Sequence, residues 1–253
     1  MKKETLHKLE SVHTPEAIRA RLSGGMRHSY LRDFIYGAVD GAVTTFAVVS
    51  GVAGAQLSSG IVIILGAANL VADGFSMAVS NYLGTRADRE LREMARLMEE
   101  RHIDTVPEGE REEVRQIFAA KGFKGEELEN VVRVITSNRE EWINTMLKEE
   151  LGFPARDPSP IKAAVATWFA FILVGMLPLI AFLVQAGWPD FKFDPFKAST
   201  LMTGAAFFLV GAAKSPFVGK SWFRCGLETF LVGSAAAGLA YLAGVLLRSF
   251  ISV

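Results

Sequence analysis

Hydrophobic positions along this 253-residue chain come in long blocks rather than at a helical or strand period. Residues 34–53, 60–83, 161–186, 198–213 and 226–247 are almost uninterrupted apolar runs. A helix needs about 20 residues to cross the hydrocarbon core of a bilayer, so each run predicts a membrane span. The fourth is short unless Phe196 and Lys197 extend it, and Pro178 predicts a kink in the third. From Thr85 the second run continues into RADRELREMARLMEERH, a string of helix formers with no Gly or Pro, which predicts one helix continuing from membrane into water. Pro107 suits the first turn of the next helix and Gly122 its stop. Residues 125–137 and 139–151 predict two more helices, closed by Gly152 and Pro154, and residues 14–22 predict a short amphipathic helix. The pattern is that of an all-α, polytopic membrane protein with five transmembrane helices and a cytoplasmic helical insert. Its parts are a segment at 1–33, two spans in 34–85, the insert at 86–160 and three spans in 161–253.

Composition sharpens this picture. Half of the residues are hydrophobic while 21% are charged, and the charges concentrate in the first segment and the insert. Net charge is zero, so the overall balance indicates no acidic or basic partner, and nucleic acid is not expected. The lone Cys225 excludes a disulfide within the chain and any cysteine-based zinc or iron–sulfur centre. The N-terminus, with His7, His13 and Pro15, lacks the apolar core of a signal peptide, so the first span is expected to direct its own insertion. His28 and Tyr30 are expected at the membrane interface. Basic residues crowd the N-terminal segment, the insert and the 214–224 turn, whereas the 54–59 turn has no charge. The first set is therefore expected on the cytoplasmic side, with the C-terminus opposite the N-terminus.

Carboxylates inside the spans demand a reason, because hydrocarbon disfavours them. Asp40 lies six residues into the first span and Met77 six residues from the end of the second. If the two helices run antiparallel, both lie about 9 Å from the same face. Asn69, Asp73 and Met77 follow at steps of four and share a face, and Thr44 is four residues beyond Asp40. This stripe offers oxygen ligands suited to Fe²⁺ and Mn²⁺, with one softer sulfur. The rival reading has Asp40 or Asp73 merely capping a helix or bonding Asn69, Ser76 or Thr44. Gly37 and Gly41, with Ala38 and Ala42, form a small-residue face that permits close helix approach and, in a symmetric dimer, could bring two copies of Asp40 together. Glu228, near the cytoplasmic end of the fifth span, reads as an ion-pair partner of Arg224.

The insert repeats the theme in water. Glu99 and His102, Glu110 and Glu113, and Met146 and Glu150 are pairs that each share a helix face. Turned inward, they would build a carboxylate pocket of the kind that holds iron or manganese in helical scaffolds. Spacing alone favours the plainer alternative, solvated faces paired with Arg101, Arg111 and Arg115. Glu108, Glu112, Glu126 and Glu127 are assigned to that alternative, and Met94 and Met98 to packing.

The runs DGAVTTFAVVSGVAGA from Asp40, ADGFSMAVSNYLG through Met77 and PEGEREEVRQIFAAKGF together resemble the vacuolar iron transporter family over nearly the whole chain. The resemblance implies a homodimer with the pathway between subunits, a cytoplasmic metal-binding domain, and export of Fe²⁺, often Mn²⁺, from the cytosol by proton exchange. It places the transport residues on Asp40 and Met77 and the metal-domain ligands on Glu99, Glu110, Glu113, Met146 and Glu150. Three positions depart from the family pattern. Asn69 stands where a glutamate is expected, with Asp73 supplying a carboxylate one turn on, which bears on proton coupling. His102 stands where a further glutamate is expected, and imidazole also suits zinc. Leu147 replaces the second of two adjacent methionines. The partners so implied are divalent metal ions, protons, the lipid bilayer and a second copy, with no prosthetic group. The membrane would be the plasma membrane in a prokaryote, which the compact chain favours, or a vacuolar or other organelle membrane in a eukaryote. A membrane-anchored metal sensor and a ferroxidase-like oxidase are the alternatives. Intramembrane ligands at matched depth argue against the sensor, and a single Glu-x-x-His argues against the oxidase.

Overall fold

The computed structural model describes residues 10–24, 29–154, 158–188, 190 and 192–251; His7 and His28 lie outside them. All regular structure among the described residues is helical. A short α1 (Pro15–Gly24) begins at Thr14, whose hydroxyl accepts from the Ala17 amide at 3.3 Å. The first two spans are α2 (Leu31–Gly54) and the membrane half of α3 (Ser59–Thr105). Helix α3 runs unbroken for 47 residues, as the run of helix formers after Thr85 predicts. The insert comprises α4 (Pro107–Ala120), α5 (Gly125–Thr136) and α6 (Arg139–Thr145). Helix α6 does not continue as an α-helix to Leu151; it widens into a π-helical turn over Met146–Glu150, where the Leu151 amide reaches back to the Met146 carbonyl.

The third span is α7 (Pro160–Gly175) and α8 (Leu177–Gly187), bent by 47° at their junction, with Pro178 in the first turn of α8. The fourth, α9 (Pro195–Ala213), starts three residues earlier than its apolar run, because Asp194 caps it by accepting from the Phe196 and Lys197 amides. A single turn, α10 (Ser215–Val218), leads into α11 (Trp222–Ile251). Four of these helices are long and apolar enough to cross a membrane, and the bent α7–α8 pair makes a fifth.

Two separate cores hold the molecule. The bundle core joins Phe46, Val49, Leu70, Phe171, Leu179 and Phe207 from α2, α3, α7, α8 and α9. Helices α2 and α7 pack backbone to backbone: a Cβ on Gly37 or Gly41 would run into the backbone of Thr167 or Phe171. The small-residue face of α2 is thus occupied within the chain, and it is not available to bring two copies of Asp40 together. The insert has its own small core of Ile103, Val114, Val132, Trp142, Ile143, Met146 and Leu147, with Ala95. Bidentate pairs lash α6 to α3, Arg96 to Glu140 at 2.9 and 2.6 Å and Arg139 to Asp104 at 2.5 and 2.9 Å.

Candidate metal sites in the bundle and the insert

In the bundle, Asp40 and Asp73 are both half-buried, and they lie close enough for their charges to interact. Thr44 donates to the main-chain carbonyl of Asp40 at 3.0 Å, not to its carboxylate, and in turn accepts from Asn69 Nδ2 at 3.3 Å. Asn69 and Thr44 therefore bond each other across α2 and α3, a turn deeper than the two aspartates. Met77 is half-buried on the α3 face that carries Asp73, against the bundle core. Of the stripe read from spacing, the structure brings together Asp40 with Asp73 and Thr44 with Asn69, while Met77 packs against the bundle core. Glu228 instead pairs with Lys214 at 3.4 Å, because α9 packs against α11 and brings that lysine within reach.

In the insert, the C-terminal half of α3 and the start of α4 converge on one point. A ligand atom each from Glu99, His102 and Glu110 can be chosen so that all three lie within 4.8 Å of one another. Glu99 and Glu110 are 2% and 3% exposed, values that surface carboxylates do not approach. His102 Nδ1 sits 3.4 Å from Glu110 Oε1, and Oε2 of each glutamate is buried without a hydrogen-bond partner. Buried carboxylates normally carry a cationic or hydrogen-bonding partner, so Glu99, His102 and Glu110 are the residues that could hold a cation here. Burial, with Glu113 and Glu99 close by, pushes the Glu110 carboxyl up to about 7. Burial and then the charge of Glu150 raise Glu99, and burial and then Glu113 raise Glu150.

Glu113 and Glu150 are themselves exposed and reach the cluster through their charge. Met146 is fully buried in the insert core at the head of the π-turn that carries Glu150. The solvated-face alternative holds for the neighbouring acids: Arg111 pairs with Glu108, and Arg115 with Glu112 and Glu129. It fails for Glu99 and Glu110, which are buried beside His102 and other carboxylates. Met94 and Met98 are exposed rather than packed within the chain.

Sequence reasoning missed Asn81 and Asp33. Asn81 continues the step of four from Asn69, Asp73 and Met77, which is the signal that could have found it. Tyr30 accepts a hydrogen bond from the Ser159 amide at 2.9 Å, joining the start of the first span to the start of the third.

Residues 31–245 match the family described as the VIT family. The chain is 34% identical over 214 residues to a protein of Arabidopsis thaliana named vacuolar iron transporter 1, covering 83% of each. It is 31% identical over 229 residues to the vacuolar iron transporter of Plasmodium falciparum, covering 88% of this chain and 84% of that one. The similarity to the vacuolar iron transporter of Toxoplasma gondii is 31% over 231 residues.

Proposed function

Because the chain belongs to the VIT family, we propose that it carries Fe²⁺, and Mn²⁺ with it, out of the cytosol in exchange for protons. The observation that carries this reading is Asp40 with Asp73 beside it, two carboxylates inside apolar spans. Carboxylates in that setting mark ion or proton routes. The insert cluster of Glu99, His102 and Glu110, ringed by Glu113 and Glu150, collects the ion from the cytosol. Asp40 and Met77 then replace part of its water shell in the bundle. A proton arriving from the opposite side competes for the same oxygens and releases the metal. The N-terminus and the insert face the cytosol, as the distribution of basic residues requires, and the names of the relatives point to an organelle membrane of the vacuolar kind.

The working unit in this reading is a homodimer. Beyond the membrane, α3 leaves Leu91, Met94, Leu97 and Met98 between 46% and 66% exposed on its water-facing half. Lipid cannot cover residues there, and steps of three and four along 91, 94 and 98 suit a helix-to-helix seam with a second copy. The reading is tested by Fe²⁺ influx into proteoliposomes whose interior is acidic, against vesicles without a gradient. Influx that needs the gradient supports it. Equal influx in both would remove proton exchange, and none from well-folded, metal-binding protein would favour a sensor.

A further inference from the structure

One turn to the cytoplasmic side of Met77, α3 presents Asn81 to both α2 and α7. Its Nδ2 lies 2.9 Å from Asp33 Oδ1, 2.7 Å from Thr167 Oγ1 and 3.3 Å from the Ala163 carbonyl. An amide nitrogen has two hydrogens, so it is saturated here, and flipping the amide would set oxygen against oxygen. The Asn81 carbonyl accepts from Thr85 at 3.4 Å, and Thr167, fully buried, donates onward to the Asp33 carbonyl at 3.3 Å. Three helices meet at one side chain.

Position gives this node its meaning. Asp33 precedes Asp40 by seven residues, which returns it to nearly the same face of α2, about 10 Å nearer the cytosol. Asn81 stands about 6 Å below Met77 on α3 by the same count. Asp33 and Asn81 thus form a second rung beneath that of Asp40 and Met77. The Asp33 carboxylate is met by an amide, not a cation, among the described residues. An amide orients a carboxylate without cancelling its charge, so the charge stays available to a passing ion. The node is also rigid, since Gly37, the small residue between Asp33 and Asp40, packs α2 directly on the Thr167 backbone.

We propose that Asn81 is a positioning residue for metal uptake, holding the Asp33 carboxylate at the cytoplasmic mouth as the first intramembrane contact on the way to Asp40. The proposal rests on the transport reading above. Its test is the concentration dependence of Fe²⁺ influx into proteoliposomes for the wild type, Asn81→Ala, Asp33→Asn and the exchanged pair Asp33→Asn with Asn81→Asp. Loss of a hydrogen bond to a charged group corresponds to about tenfold, so Asn81→Ala and Asp33→Asn should each raise KM about tenfold while Vmax changes little. The exchanged pair restores both the carboxylate and its amide donor, with the partners on opposite helices, and should bring KM back to within about threefold of wild type. A packing role alone would lower the melting temperature and Vmax together and leave KM in place, which would overturn the proposal. So would an unchanged KM in either single variant, or an exchanged pair that folds but keeps the raised KM. Should Asn81→Ala fail to fold, Asp33→Asn and the exchanged pair still decide it. A wild type that moves no Fe²⁺ would instead remove the transport reading itself.

Discussion

The bundle and the insert each gather carboxylates, and they do so under opposite constraints. In the bundle the acids are few and half-buried, and glycine brings the helix carrying Asp40 into backbone contact with α7. In the insert the acids are many, and the central two are almost wholly enclosed beside His102. Hydrocarbon disfavours every added charge, so a membrane route can hold only a few ligands. Water tolerates a dense cluster around a small core, where burial and mutual repulsion raise proton affinity. In the transport mechanism proposed above, the insert captures the ion and the bundle holds it weakly enough to release.

The largest effect should come from the packing on which the bundle depends. Gly41→Leu places a side chain against the Phe171 backbone, which has no room to yield. It should destabilise the bundle by about 3 kcal/mol or more, read as loss of monodisperse protein in detergent. Next, Glu110→Gln removes a central carboxylate of the insert. Breaking a buried charged set in this way should weaken metal binding there about a hundredfold by calorimetry, while the bundle folds unchanged.

The third expectation concerns pH. The Glu110 carboxyl is raised to about 7 in the folded insert, so the folded state holds a proton that the unfolded chain releases at lower pH. Metal-free stability is then greatest at acidic pH and falls as pH rises through 7. Metal affinity runs the other way, tightening by up to about tenfold per unit below 7 and levelling above it. A flat profile across that window would contradict the enclosure of Glu110. The smallest effect is expected at Gly109, where an added Cβ meets only Val106, at 4.0 Å. Gly109→Ala should stabilise α4 by up to about 1 kcal/mol, measured as a raised melting temperature, in contrast to the cost at Gly41.

Much of the architecture was legible from hydropathy alone. The spans, the unbroken passage of α3 into water and the stop at Gly122, which has φ +102°, follow from apolar run length and backbone chemistry. Asp40 and Asp73 were legible because charge inside an apolar run has few explanations. The enclosure of Glu99 and Glu110 was not, since Glu108 and Glu112 lie at the same kind of helical spacing and differ only in facing arginine. Which face turns inward depends on how α3 and α4 roll against Trp142 and Ile143, and period does not specify roll. The π-turn at Met146 was equally hidden, for MLKEE contains neither Gly nor Pro to announce it. Asn81 escaped because its role arises from three helices meeting, not from any one of them. The small-residue face of α2 does pack closely, as its spacing implies, but against α7.

The most direct test of the division between capture and passage is Asp40→Ala, assayed for both functions in one preparation. Metal binding by the insert should equal that of wild type, while Fe²⁺ and Mn²⁺ influx under an imposed pH gradient falls to the level of empty vesicles. Influx at the wild-type rate from that variant would show that the ion does not pass Asp40, and the route drawn through the bundle would be wrong.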